Sequence, residues 1–168
     1  MSEQQVTSDA GWLSSRVGSI AGALRAASPG ELAALRRMGP DGPTAPAFWR
    51  LFATTIDPDD RANDDATMAW ATIVSAMADA PTLDERTQAG QAMAQAGLSE
   101  ARFVRLLEAE GSALLDEFRQ VARYLAAKGR GLAWTDMAAL LLVKDREARR
   151  KIRGRLARFF FRQRKEEA

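Results

Sequence analysis

Cysteine and histidine are both absent from this chain of 168 residues. Without thiolates there is no disulfide framework, no sulfur nucleophile and no structural zinc site of the usual ligand set. Without imidazole the residue most often used as general base near neutral pH is missing, and a Ser-His-Asp triad cannot be assembled. An enzyme built on this sequence would have to work with carboxylates alone, so no catalytic residue, cofactor or metal is expected. No run approaches the roughly 18 apolar residues that a membrane span requires. Met1 to Asp9 is polar and lacks the basic-then-apolar pattern of a secretory signal, so a cytoplasmic protein without membrane contact is expected. There is no glycine-rich phosphate loop, no internal repeat at a fixed period and no low-complexity tract.

Also missing is the period-2 alternation of strands, and what remains is a series of helix signals. The reading is all-α, a compact bundle of about eight or nine helices in two lobes. A first helix over about Asp9 to Ala26 carries Trp12, Leu13, Val17, Ile20 and Leu24 at helical spacing. Ser28, Pro29 and Glu31 supply an N-cap, a proline at the first helical position and a capping-box partner. The breaker Gly39-Pro40-Asp41-Gly42-Pro43 precedes a helix opened by Pro46, with Phe48, Trp49, Leu51 and Phe52 as core. Asp57-Pro58-Asp59-Asp60 is expected to start a longer helix, and Thr82 to Glu85 repeats the capping-box spacing for a helix ending near Gly97.

Ser99 caps the next helix, Glu100 to Glu110, which would bury Phe103, Leu106 and Leu107. Ser112 to Lys128 follows, then a brief apolar helix over Asp136 to Val143, then a basic helix capped by Asp145. Gly97 to Ser99 is the expected hinge, dividing an acidic N-terminal lobe, 1–97, from a basic C-terminal lobe, 98–168.

The net charge of +2 conceals an asymmetry. Residues 1–100 hold 7 basic and 13 acidic side chains, whereas residues 101–168 hold 17 and 9. From Lys144 to Lys165 the ratio is 11 to 2, and 20 of the 24 basic residues are arginine. Solubility alone is served by mixed signs, while arginine's planar fork suits phosphate. The basic half therefore points to a polyanion or to the acidic front of a neighbouring subunit. On the last helix Lys151, Arg155, Arg158 and Arg162 share a narrow sector beside an apolar seam of Ala148, Ile152, Leu156 and Phe159. Phe161 falls off that seam and should be exposed, docked to a partner or released by fraying.

Other groups have plainer accounts. Arg36-Arg37 near a helix C-terminus serves the last carbonyls as readily as a ligand. Asp57, Asp59, Asp60, Asp64 and Asp65 read as capping, since the central glycine and closing glutamate of an EF-hand loop are both missing. Trp12, Trp49, Trp70 and Trp134 lie on apolar seams and read as packing rather than as base-stacking platforms.

Taken together these residues resemble the CasB family, the small subunit of the type I-E CRISPR surveillance complex Cascade. The anchors are Arg36-Arg37, the run Pro46-Ala47-Phe48-Trp49-Arg50-Leu51, the stretch from Gly90 to Leu107 and Trp134 before a short apolar helix. The third is the most specific: a small-residue helix, a glycine, Ser99-Glu100, then Arg102-Phe103-Val104-Arg105-Leu106-Leu107. Where family members often carry tryptophan after the Trp134 position, this chain has Leu140 to Val143. The resemblance implies a non-catalytic helical subunit that packs as a pair of copies beside crRNA-bearing subunits. Its implied partners are crRNA, target DNA, the other Cascade subunits and a second copy of itself.

Guided recognition reads sequence by base pairing, so the protein need only hold backbones. On that basis Arg36, Arg37, Arg102, Arg105, Arg119, Arg123, Lys128, Arg130 and Lys144 are expected to neutralise phosphates, chiefly of the displaced strand, and so to stabilise the R-loop. The C-terminal arginines either extend that surface or face a neighbouring subunit. Two other classes remain open: a dimeric helix-turn-helix regulator reading a major groove, and a structural bridge without nucleic-acid contact.

Overall fold

The computed structural model describes residues 3–80, 83 and 86–168, with side chains from Gly11 onward. Among the described residues the chain forms nine α-helices and one π-helical turn, with no sheet, in agreement with the all-α expectation. None of these helices is long and apolar enough to cross a membrane. Two compact units divide the chain, Met1–Ala78 and Asp79–Ala168. The sequence had placed the division at Gly97–Ser99, which lies inside the second unit. The reason is the helix just before Gly97, which packs along the last helix of the chain and so belongs to the basic unit.

The first unit holds α1 (Glu3–Ala26), α2 (Pro29–Arg36), α3 (Pro46–Leu51) and most of α4 (Asp64–Asp79), with the π-helical turn Phe52–Ile56 extending α3. Leu13, Val17, Ile20 and Leu24 of α1 are buried at the spacing of one helix face. At the start of α2 the capping box forms as expected. Glu31 N–H donates to Ser28 Oγ at 3.2 Å, and Ser28 N–H donates back to Glu31 Oε2 at 3.0 Å. The π-helical turn closes through Asp57 N–H to the Phe52 carbonyl at 2.8 Å and buries Phe52 and Ile56.

Asp57 does not open the following helix. Its carboxylate instead accepts from the N–H groups of Arg61 at 3.0 Å and Ala62 at 2.7 Å, closing a loop in which Asp60 takes φ 53°. Those two bonds, Ala62 first, hold the Asp57 carboxyl below its usual range. Helix α4 starts at Asp64, where Asn63 Oδ1 accepts from Ala66 N–H at 2.9 Å. The expected cap at Thr82–Glu85 lies outside the described residues.

The second unit holds α5 (Ala89–Gln95), α6 (Glu100–Glu108), α7 (Gly111–Ala127), α8 (Trp134–Leu142) and α9 (Arg146–Glu167). Helix α5 lies against α9 so closely that a Cβ at Gly90 would stand 2.1 Å from the Leu156 carbonyl oxygen. The run of small residues in α5 therefore has a packing cause. Helix α9 buries Ile152, Leu156 and Phe160, and Phe160, fully buried, stacks on Phe103 of α6 with centroids 3.9 Å apart. The apolar seam thus ends on Phe160, not on Phe159 as the sequence suggested. Burying one such ring stabilises by roughly 1.5–3 kcal/mol. Phe161 is 41% exposed, edge-on to Phe103 and Phe160, which fits the first of its expected fates. Leu140 is buried on α8, so packing there proceeds without the family's tryptophan.

Trp70 and Trp134 are buried, as expected for packing residues, whereas Trp12 and Trp49 are 48% and 46% exposed. Trp12 meets Trp70 edge-on at 6.3 Å, and Trp49 donates its indole N–H to the Pro43 carbonyl at 3.2 Å.

Candidate nucleic-acid interface

Helices α6 and α7 present four of the nine expected residues and Lys128 caps the end of α7, and their placement follows from two local signals. Ser99 Oγ accepts from Arg102 N–H at 3.3 Å and starts α6, leaving Phe103 and Leu106 to the core. Arg102 and Arg105, each a neighbour of those positions, are thereby turned outward. On α7, Leu114, Phe118, Val121 and Leu125 are buried, and Arg119, Arg123 and Tyr124 take the flank.

The five basic side chains differ in how much charge they leave to a ligand. Arg102 places its guanidinium 4.9 Å from the centre of the Tyr124 ring, with no carboxylate partner among the described residues. Lys128, one turn beyond Tyr124, sets its ammonium 5.6 Å from the same ring. Arg123 is exposed and also has no ion-pair partner among the described residues. Arg105 Nε lies 3.8 Å from Glu117 Oε1, a long and weak pair. Arg119 is held by Asp116 at 3.2 Å with its side chain only 12% exposed. Burial lowers the pKa of Arg119, the charge of Asp116 opposes that shift, and Arg123 adds to it, which marks the two arginines as electrostatic neighbours.

The remaining expected residues lie on other elements. Arg36 and Arg37 are exposed at the end of α2 in the first unit, where Arg36 Nε donates to the Ala78 carbonyl at 2.8 Å. That bond satisfies one of the orphan carbonyls at the C-terminus of α4. Arg130 is exposed just after α7, behind the left-handed Gly129 at φ 65°. Lys144 is exposed between α8 and α9. Tyr124 itself is the residue that sequence reasoning passed over. Its four-residue spacing to Lys128 was readable on a helical wheel, but its partner Arg102 sits on another helix.

The basic helix α9 is partly neutralised from within. Arg149 and Arg153 share Glu110 at 2.8 and 2.6 Å, Lys151 pairs with Glu147 at 3.3 Å, and Arg155 reaches Asp136 at 2.5 Å. Arg153, with Arg149 behind it, holds the Glu110 carboxyl below its ordinary value. Burial pushes the Asp136 carboxyl up, against the pull of Arg155. Two members of the expected sector, Lys151 and Arg155, therefore already have carboxylates. Arg146, Arg150, Arg158, Arg164 and Lys165 are exposed and without an ion pair among the described residues. No acidic cluster among the described residues is arranged to hold a metal ion.

Among the described residues the class is that of an all-helical protein with cations along α6 and α7, two of them set against one tyrosine ring. The family model of CRISPR-associated protein Cse2 matches residues 31–161, and the chain belongs to that family. Two solved structures share the fold. The crystal structure of M. ruber CasB superposes with a TM-score of 0.73 at 24% identity, covering 91% of this chain and 96% of that one. A chain of the crystal structure of E. coli Cascade bound to a PAM-containing dsDNA target matches with a TM-score of 0.64 at 24% identity, covering 86% and 95%. No curated protein matches the chain significantly.

Proposed function

We propose that this chain is a non-catalytic, cytoplasmic subunit of a crRNA-guided Cascade complex, in which it holds nucleic-acid backbone, chiefly the displaced strand, and stabilises the R-loop. The observation that carries the reading is the match of residues 31–161 to the Cse2 family. Supporting it, Arg102, Arg123 and Lys128 are cations that no carboxylate among the described residues offsets. Heteroduplex formation is near balance with the duplex it replaces, so a few kcal/mol of phosphate contact can tip the exchange.

Arg105, Arg119, Arg130 and Lys144 of the second unit, and separately Arg36 and Arg37 of the first, are proposed as further backbone contacts in weaker roles. Arg119 and Arg105 have acidic neighbours that share their charge. The partners proposed are crRNA, target DNA, the other Cascade subunits and a second copy of this chain.

The test is to replace Arg102, Arg123 and Lys128 together by glutamine in the assembled complex. Loss of three phosphate contacts on a single strand flattens the log–log salt dependence by about 2, and the R-loop dissociates faster while the complex still assembles. Unchanged R-loop lifetime and salt slope would overturn the reading. Failure of assembly with an unchanged lifetime in the residual complex would favour a structural bridge instead.

The regulator reading loses ground on one contact. A base-reading helix wants Asn, Gln or Arg free at its groove-facing positions. The amide-bearing residue of α9, Gln163, is engaged internally: its Oε1 accepts from Gln91 at 3.2 Å and Gln95 at 3.4 Å, and its Nε2 donates to Glu167 at 3.0 Å.

A further inference from the structure

Tyr124 is the chain's single tyrosine, and three elements of the second unit converge on it. Its hydroxyl donates to the Ala96 carbonyl at 2.9 Å, at the end of α5. Gly97, left-handed at φ 80°, turns the chain there, and a Cβ at that glycine would lie 3.5 Å from the same hydroxyl oxygen. Arg102 of α6 stands over the ring, and Lys128 approaches it from the end of α7.

A ring and a carboxylate both hold a guanidinium in place, but they differ in what they leave behind. The carboxylate cancels the charge, as Asp116 does for Arg119 and Glu117 does in part for Arg105. The ring attracts a cation through its quadrupole and leaves the full positive charge outside. Two long, flexible side chains ordered on one neutral platform lose less rotamer freedom when an anion arrives.

Resting on the nucleic-acid reading above, we infer that Tyr124 is a positioning residue, whose ring orders Arg102 and Lys128 into one two-cation clamp for backbone phosphate. The hydroxyl bond to Ala96 fixes the ring against the α5–α6 turn, so the clamp stands in the same place before and after the strand arrives.

The experiment measures affinity and salt slope of the assembled, crRNA-loaded complex for a target duplex. Tyr124→Phe keeps the ring but loses the hydroxyl bond to Ala96, so its affinity is expected to lie between that of the native chain and that of a ringless variant. Tyr124→Leu removes it and is expected to weaken binding by about threefold to tenfold, the scale of re-ordering one long side chain. Tyr124→Met takes its place should the leucine variant not fold. Arg102→Ala is expected to cost less on the Tyr124→Leu background than on the native one, since residues acting as a unit are not additive. If Arg102→Ala and Lys128→Ala weaken binding while both ringless variants bind like native, or if the costs simply add, the positioning role of Tyr124 is overturned and the phosphate reading stands. If Arg102→Ala and Lys128→Ala leave affinity and slope untouched, the phosphate reading itself fails at this cluster.

Discussion

Glu110 holds two guanidinium groups at once, Arg149 at 2.8 Å and Arg153 at 2.6 Å, and this sets how the second unit responds to acid. Its pKa in the folded chain lies below the ordinary 4.5, first through the Arg153 hydrogen bond. A depressed carboxylate contributes stability that is present above its unfolded pKa and is lost as pH falls through the folded one. Asp136 works the other way. Its raised pKa means that its contribution is present below the unfolded value and is lost as pH rises through the folded one. Glu110→Gln is therefore expected to lower stability at neutral pH, by about 1 kcal/mol at most for so exposed a group. The deficit should shrink as pH falls below the ordinary value and through the depressed one, and urea midpoints from neutral pH downward would check it. A constant deficit at all pH values would assign the loss to packing. None of this was legible from spacing. A helical wheel places Arg149 and Arg153 on one face of α9, but Glu110 lies 43 positions before Arg153 and the wheel is silent about it.

Among elements, the pairing of α5 with α9 depends on one atom that is missing. A Cβ at Gly90 would meet the Leu156 carbonyl oxygen at 2.1 Å and the Phe160 nitrogen at 3.0 Å, both backbone, so no side chain can yield. Gly90→Ala must separate the helices or unwind a turn, and the expected loss is about 1–3 kcal/mol or more. Gly154, in the interior of α9, has nothing within 4 Å of its would-be Cβ. Gly154→Ala is expected to stabilise by about 0.5–1 kcal/mol through helix propensity alone. Thermal unfolding of the two variants should shift in opposite directions, and a shift of the same sign would contradict the close approach. Helix starts were readable where a side chain caps them locally: Ser28, Ser99 and Asp145 each accept from the N–H three residues on. The errors had two causes, one distant and one local. Phe160 replaced Phe159 on the buried seam because Phe103 of α6 waits there. Asp57 closed a loop instead of opening α4 because both of its oxygens found backbone donors.

For the molecule as a whole, charge asymmetry was a signal read at too coarse a grain. The excess of cations in residues 101–168 is real, yet Arg149, Lys151, Arg153 and Arg155 are offset by carboxylates within the same unit. On the proposed function, the contacts left to a polyanion are fewer than the count of arginines suggests, and that number can be measured. If the free chain uses the three unoffset cations Arg102, Arg123 and Lys128, its salt slope for single-stranded oligonucleotide is about −2. Affinity then falls by about twentyfold between about 50 and 200 mM salt. Because phosphate contacts carry no sequence information, homopolymers of dT and dA should bind alike apart from stacking differences. Anisotropy titrations would check both points. A slope several units steeper would mean that α9 also lies on the strand, extending the track to Arg150, Arg158 and Lys165. Selective binding to one duplex sequence by the free chain would instead restore the regulator reading, since only base-edge contacts or duplex deformation can supply such a preference. Weak absolute affinity contradicts neither expectation, because a short cationic surface becomes effective when neighbouring subunits hold the same strand and raise its local concentration.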